Sequence, residues 1–489
     1  MKKFLLVLLF SSSLGWSILQ AQHVIPELSY STLLGGDLGD EVTAVTVDQA
    51  GNLYIVGRTQ SLTFPIEPRS HHQPQGGLGR HGIDAYVAKF DPTGSELLYI
   101  LWFNAISATD IDEAFAIAVD ADGNAYVTGH TRSADFCTLF GDTPGYDTEY
   151  NGNGDAFLLK INPEGTGLDY CTFLGGDDWD LGTAVVLDAQ QNAYVTGGTW
   201  STTFPTTDNA YDADHNGLRD TFVAILDASG MNLTYATFIG GSNQEESKGI
   251  IRDTVGNLYV AGWTNSDDLP TTPDSYAPSF GGGFDGFVYK LNPTATELLY
   301  VTYLGGSEED RATALVHRLN GEIVVAGYTR STDIWETADL QGTSDLFVMG
   351  LNASGTATTF TTLLGGSGED QALGITRSLG TLFVTGTTWS DDFAQNGRLS
   401  GVQDSFLLQL DGAGTAVYAT YIGGNAEENG TAITATHQHL YLAGDSRSED
   451  FPTTDGAYNH ANSGDYDIYA QKQTLTRHTA YLPILHTRR

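Results

Sequence analysis

A short aromatic-led segment returns seven times along the 489 residues, and any fold assigned to this chain has to accommodate it. The segment reads Tyr30-Ser-Thr-Leu-Leu-Gly35-Gly36 and recurs from Tyr170, Tyr235, Tyr300, Phe360 and Tyr418, each time closing on two glycines. A degenerate copy starts at Tyr99, where Asn104 and Ala105 replace the glycines. Successive starts lie 58 to 71 residues apart, a period well beyond that of common helical solenoids.

Each period holds four short strands, legible from apolar alternation and turn chemistry. In the first, Thr43–Val47 alternates and Asp48–Asn52 turns. Leu53–Gly57 answers as a hairpin partner, and after a long polar loop Asp84–Phe90 forms a third strand. Asp91–Gly94 turns again into Leu97–Tyr99, the fourth strand and the start of the next copy. The first turn returns at Asp120–Asn124, Gln191-Asn192 and Gly256-Asn257, and the second at Asn162-Pro163, Asp227–Gly230, Asn292-Pro293 and Asn352–Gly355. A four-stranded unit of this size cannot bury both faces alone, whereas seven stacked radially bury them against one another. The expected fold is therefore all-β: a seven-bladed β-propeller with four antiparallel strands per blade. Residues 28–34 carry a fourth-strand pattern with no three strands before it, and the last copy has three strands (Thr431–Thr436, Leu440–Gly444, Asp467–Gln471) with no double-glycine strand after. The N-terminal strand should complete the last blade and close the ring, removing an open sheet edge. A rival closure would use Thr479–Leu485.

Composition limits the function classes. Sixty acidic residues against 22 basic ones give a formal charge of -38, which argues against a grip on DNA, RNA or anionic lipid. Two cysteines, Cys137 and Cys171, cannot form a disulfide scaffold, although outside the cell they could pair with each other. Lys2 and Lys3 precede the apolar run Phe4–Phe10 and a stretch ending at Ala21, the order of a cleavable secretory leader. The expected organisation is a leader at 1–21, a single propeller over 22–473 and a locally basic tail at 474–489. No later apolar stretch is long enough to span a bilayer. The expectation is a secreted or cell-surface protein, monomeric, with an extracellular protein or glycan as partner.

Segments such as Ala116–Gly129 and Gly197-Gly-Thr-Trp-Ser-Thr-Thr-Phe-Pro205 resemble the SBBP repeat, named for a seven-bladed β-propeller and found in exported bacterial proteins. The resemblance implies architecture and placement outside the cell, and brings no catalytic motif. The chain departs from it at Asn104 and in the last three blades, which lack the turn aspartate.

In a propeller, the loops joining strands two and three and those joining successive blades share one face. Here these loops are long and polar, so function is sought there. Three features recur on that face in every blade. An acid follows the double glycine or its equivalent: Asp40, Asp112, Asp180, Glu245, Asp310, Asp370 and Glu428. A Gly-x-Thr/Ser-x-Ser run closes strand two, ending at Ser61, Ser133, Ser201, Ser266, Ser331, Ser390 and Ser448. An aspartate opens strand three: Asp84, Asp155, Asp220, Asp285, Asp345, Asp404 and Asp467. Sevenfold repetition suits loop-pinning hydrogen bonds; a ring of carboxylates holding cations is the alternative. The variable positions of the serine-ended run carry Arg58 and Gln60, His130 and Arg132, Trp200, Trp263 and Asn265, Tyr328 and Arg330, Trp389, and Asp445 and Arg447. These residue types either make a contact surface for sugar or peptide or cover blade edges.

Asp212, Asp214, Asn216 and Asp220 match calcium-loop positions, but Val223 stands where the closing Glu would be, so a solvated turn is the competing interpretation. No cofactor other than calcium is suggested. His71, His72 and His81 lack zinc-motif spacing and are taken as exposed loop residues. No metalloprotease, serine-hydrolase or phosphate-loop motif occurs. The function expected is a non-catalytic binding or adhesion scaffold acting through its long-loop face; the alternative is a secreted carbohydrate-active hydrolase or lyase with its acids in the central funnel.

Overall fold

The computed structural model describes residues 21–65, 82–103, 111–318, 320–335, 339–394 and 397–480. The expected leader up to Gln20, Asn104-Ala105, His71, His72, His81 and the last nine residues lie outside them, while Ala21, expected to end the leader, opens the first strand. Twenty-eight strands form seven antiparallel sheets of four, each joined in simple up-and-down order. Beyond these, one 3-10 turn at Phe136–Thr138 is the only helical piece among the described residues. Blade 1 is built from Asp40–Val47, Leu53–Thr59, Asp84–Phe90 and Leu97–Phe103, and blades 2 to 6 repeat it. The first strand of blade 7 (Glu428–Ala435) packs against that of blade 1, so the ring is closed.

The expected closure is realised. Blade 7 takes Ala21–Leu34 as its outer strand, paired antiparallel with Asp467–Ala480 so that Leu34 faces Ile468 and Ala21 faces Ala480. Thr479 lies opposite Gln22 in the third strand, which displaces the rival closure. The propeller also extends past the expected boundary at 473. Val24 and Leu475 are buried with Phe383 and Leu407 of blade 6, and the Gln409 side-chain amide donates to the Val24 carbonyl at 3.0 Å. Burial of these apolar side chains holds residues 474–480 in the sheet rather than in a free tail.

The burial pattern follows from the radial stacking. Second and third strands are buried at nearly every position because blades cover both their faces, whereas first strands alternate because one side lines the axis. Every first strand bulges at its third or fourth residue, between Val42 and Ala44 in blade 1 and between Gly430 and Ala432 in blade 7. The bulge re-aims the extra side chain near the channel.

Two devices join neighbouring blades. On the long-loop face, the amide opening each first strand donates to a carbonyl of the preceding blade: Asp40 to Tyr466, Asp112 to Ile83, Asp180 to Gly154, Glu245 to Arg219, Asp310 to Phe284, Asp370 to Ser344 and Glu428 to Gln403. On the other face, the aromatic of the repeated segment caps the next blade's turn. Tyr30 lies over Gly94, whose φ of +69° and closeness to the ring (a Cβ would stand 2.6 Å from it) both require glycine. Cys137 and Cys171 are disulfide-bonded, tying the blade-2 loop to the outer strand of that blade, with Cα atoms 5.3 Å apart.

Candidate binding site at the long-loop end of the axis

The repeated acids sit where the double glycine, the serine-ended run and the strand-three aspartate converge. Asp40 accepts from the Gly36 amide at 2.6 Å, from Ser61 Oγ at 2.8 Å and from Thr59 Oγ1. Asp112, Asp180, Glu245, Asp310, Asp370 and Glu428 make the corresponding contacts with Ser133, Ser201, Ser266, Ser331, Ser390 and Ser448, and in blade 7 Ser446 takes the place of the threonine. Serine amides bond back to the preceding hydroxyl, so the motif is a closed network within one blade. Burial pushes Asp40, Asp180 and Asp285 up to about 7, and Asp155 and Asp467 up to about 6. The strand-three aspartate reaches the same point: a Cβ on Gly175 would lie 2.5 Å from Asp155 and 2.9 Å from Asp180.

The variable positions do not form one uniform rim. In blades 3 to 5 they are packed together. The Arg219 guanidinium lies 4.5 Å from the Trp200 ring centre and 4.8 Å from that of Trp263, donates to the Glu245 carbonyl at 2.9 Å and pairs with Glu246 at 2.6 Å. Arg311 covers Trp263 from the other direction at 4.4 Å. Gly198 leaves the room that Arg219 fills, since a Cβ there would stand 3.1 Å from its side chain. His130 is buried and stacked on Trp179 at 4.9 Å, with Arg132 over the same indole, and burial holds the imidazole below its ordinary pKa. Tyr328 reaches Glu309, while Arg330 pairs with Glu309 and Glu369. Arg447 is held by Glu427 and Asp465 over the Tyr466 ring.

The axis is open on its other side, between blades 6, 7, 1 and 2. There a recess of about 350 Å³ is lined by Arg58, Glu113, Gln371, Thr387, Trp389 and Asp445, among others. It brings Arg58 and Trp389 together and leaves the remaining expected contact residues elsewhere on the face. Arg58 is saturated: it donates to Glu41 through Nε at 3.0 Å and Nη2 at 2.6 Å, and to Glu113 through Nη1. Asp445 is 5% exposed and accepts one bond, from the Val42 amide at 2.7 Å; burial drives its carboxyl well above the usual range. Thr387, 2% exposed, has no partner for its hydroxyl. Six tryptophans fall among the described residues, and five touch another ring or a cation: Trp102, Trp179, Trp200, Trp263 and Trp335. Half-buried Trp389 has no such partner among them.

Sequence reasoning missed Arg219, Gln371 and Thr387. The signal for Gln371 was the residue following each repeated acid (Glu41, Glu113, Leu181, Glu246, Arg311, Gln371, Asn429), for Arg219 the residue preceding each strand-three aspartate, and for Thr387 the first variable position of the serine-ended run. These positions vary inside an otherwise constant frame.

The calcium-like loop closes on itself. Asp212 accepts from the Asp214 amide at 3.0 Å and from Asn216 Nδ2 at 2.8 Å, while Asp220 accepts from the Asn216 amide at 2.8 Å. Blade 2 repeats this turn with Asp147, Asn151 and Asp155. Among the described residues no group of three or more His, Cys, Asp or Glu side chains is arranged to hold a metal ion, and no helix is long and apolar enough to cross a membrane.

Comparison with known proteins follows the same architecture. The SBBP β-propeller repeat matches residues 29–63, 102–136 and 234–270. Regulatory protein FlaEY of Caulobacter vibrioides is 25% identical over 283 residues, covering 55% of this chain and 28% of that protein. An uncharacterized WD repeat-containing protein of Acanthamoeba polyphaga mimivirus is 27% identical over 271 residues, 48% of this chain and 19% of its own length. The chain thus spans less than a third of either relative. Among solved structures, polysaccharide lyase Uly1 is 11% identical with a TM-score of 0.46, covering 93% of this chain and 99% of that one. BamB from Moraxella catarrhalis is 12% identical with a TM-score of 0.38, covering 92% and 100%. One repeat model thus matches at three places in a ring of seven like blades, and the chain is a seven-bladed β-propeller that contains SBBP β-propeller repeats.

Proposed function

We propose that this propeller is an exported, monomeric, non-catalytic binding scaffold that takes an extracellular protein or glycan on its long-loop face, with the axial recess as the seat of the ligand. One observation carries the reading: Trp and Arg side chains interlock in blades 3 to 5, whereas the recess between blades 6, 7, 1 and 2 holds an indole that no ring or cation among the described residues covers, beside a buried carboxyl and a buried hydroxyl. Concave sites that combine an aromatic surface with a few convergent polar groups are where small ligands bind. The disulfide and the leader-like N-terminus support placement outside the reducing cytoplasm. A hydrolase or lyase would need two carboxyls free to act as acid and base, and in the recess Glu41 and Glu113 are both committed to Arg58, which leaves Asp445.

The test is binding to glycan and peptide arrays by the intact chain and by Trp389→Ala, with Trp335→Ala as a control outside the recess. Binding that disappears only with Trp389→Ala is the expected result; array binding untouched by that substitution refutes the assignment.

A further inference from the structure

The repeat supplies its own template for what the recess should hold. Trp200 and Trp389 occupy the same place in blades 3 and 6, each with its amide bonded to the carbonyl just before its own blade's first strand, at 2.9 Å in both cases (Trp179 and Glu369). Arg219 and Gln403 are likewise equivalent, each preceding the strand-three aspartate and bridging to the next blade. In blade 3 the guanidinium of Arg219 lies on the indole. In blade 6 the shorter Gln403 takes the corresponding polar partners, the Glu428 carbonyl at 3.5 Å and Asn429 Oδ1 at 2.6 Å, and among the described residues no ring or cation covers Trp389. The acid beside it changes place: Asn429 stands at the position of Glu246, and across the strand pair Asp445 stands at that of Trp263, which puts a carboxyl in the recess where blade 4 has a second indole. The recess has no cation to spare, because Arg58 is neutralised by two glutamates, so its excess charge is negative.

Resting on the binding role proposed above, we infer that the recess takes an external guanidinium, the side chain of an arginine in a partner peptide, laid on Trp389 and paired with Asp445. An aromatic face flanked by carboxylates attracts a desolvated cation more strongly than either element alone, and a guanidinium can stack and donate at once. A volume of about 350 Å³ suits one such side chain. The net charge of -38 draws a basic segment toward the face and repels acidic polymers such as uronic-acid glycans.

The experiment is calorimetric titration of the intact chain with acetylated, amidated Gly-Arg-Gly, set against Gly-citrulline-Gly and glucosamine. Citrulline keeps the shape and loses the charge, and should bind at least about tenfold more weakly. Trp389→Ala and Asp445→Asn should each weaken the arginine peptide by about tenfold or more. Gln403→Arg rebuilds the blade-3 arrangement from within; it should abolish binding while leaving the circular dichroism spectrum and Tm unchanged or improved. That last variant keeps the inference testable if Asp445→Asn fails to fold. Equal binding of arginine and citrulline peptides, or full binding by Gln403→Arg, overturns the inference. Should the arginine peptide fail while an array ligand still depends on Trp389, the axial site stands and the guanidinium assignment falls; if no array ligand depends on Trp389, the binding role itself falls.

Discussion

Replacing Asp155 by Asn should stabilise the protein at pH 8 and not at pH 5. Asp155 and Asp180 meet at the point where a Gly175 Cβ would stand, and burial raises them to about 6 and about 7. Between roughly pH 4 and 7 the folded protein therefore holds protons that the unfolded chain has released. The stability this contributes is complete below the unfolded value and is lost as pH rises through 6 and 7. Two carboxylates about 5 Å apart at an effective dielectric near 20 repel by about 3 kcal/mol, the scale of the cost once both are ionised. Asp155→Asn removes that repulsion and keeps an amide oxygen for the Asn151 amide, which now bonds Asp155 at 2.9 Å; the weaker acceptor costs about 1 kcal/mol. The net expectation is a gain of about 2 kcal/mol at pH 8 and a loss of up to about 1 kcal/mol at pH 5, measured by urea unfolding followed by tryptophan fluorescence. A variant less stable than the parent at pH 8 would refute the reasoning. So would a calcium-dependent rise in the parent's urea midpoint that the variant lacks, because the pair would then be holding a cation.

Reducing the Cys137–Cys171 bond, or substituting Cys137→Ser, should cost about 2–4 kcal/mol in urea unfolding, with the loss confined to conditions that had preserved the disulfide. Arg219→Ala should lower stability by about 3–5 kcal/mol, since it strips Trp200 of its cover, leaves Trp263 with Arg311 alone and leaves Glu246 short of a buried partner; Arg219→Lys should recover part of that in a thermal melt. Deleting residues 21–34 should leave Asp467–Ala480 as a bare edge, and size-exclusion chromatography should show aggregates in place of a single species.

Blade count, strand order and ring closure were legible because each rests on local signals repeated seven times: alternation, Asp-to-Asn turns and double glycines. The asymmetry at the axis was not. Trp200, Trp263 and Trp389 look alike in sequence, each in a Gly-x-Thr/Ser-x-Ser run, yet the first two are covered and the third is bare. What separates Trp200 from Trp389 is the residue preceding the aspartate of the third strand, Arg219 in one blade and Gln403 in the other, while Trp263, at the other variable position, is covered by Arg219 and Arg311 from the blades on either side. The extent of the closing strand was missed for a related reason. Val24 and Leu475 are isolated apolar residues in polar sequence, and only their shared contact with blade 6 marks them as core.

The pairing of Ala21–Leu34 with Asp467–Ala480 has a temporal consequence. The outer strand of the last blade is made early in synthesis and its partner more than 430 positions later, so it must wait unpaired while six complete blades assemble. Contacts of such sequence separation form slowly, and until they form the waiting segment is available to any other chain with a free edge. Concentration during refolding should therefore matter more for the yield of this protein than its final stability does, and a chaperone that shields one β-segment would be the most useful aid to its maturation.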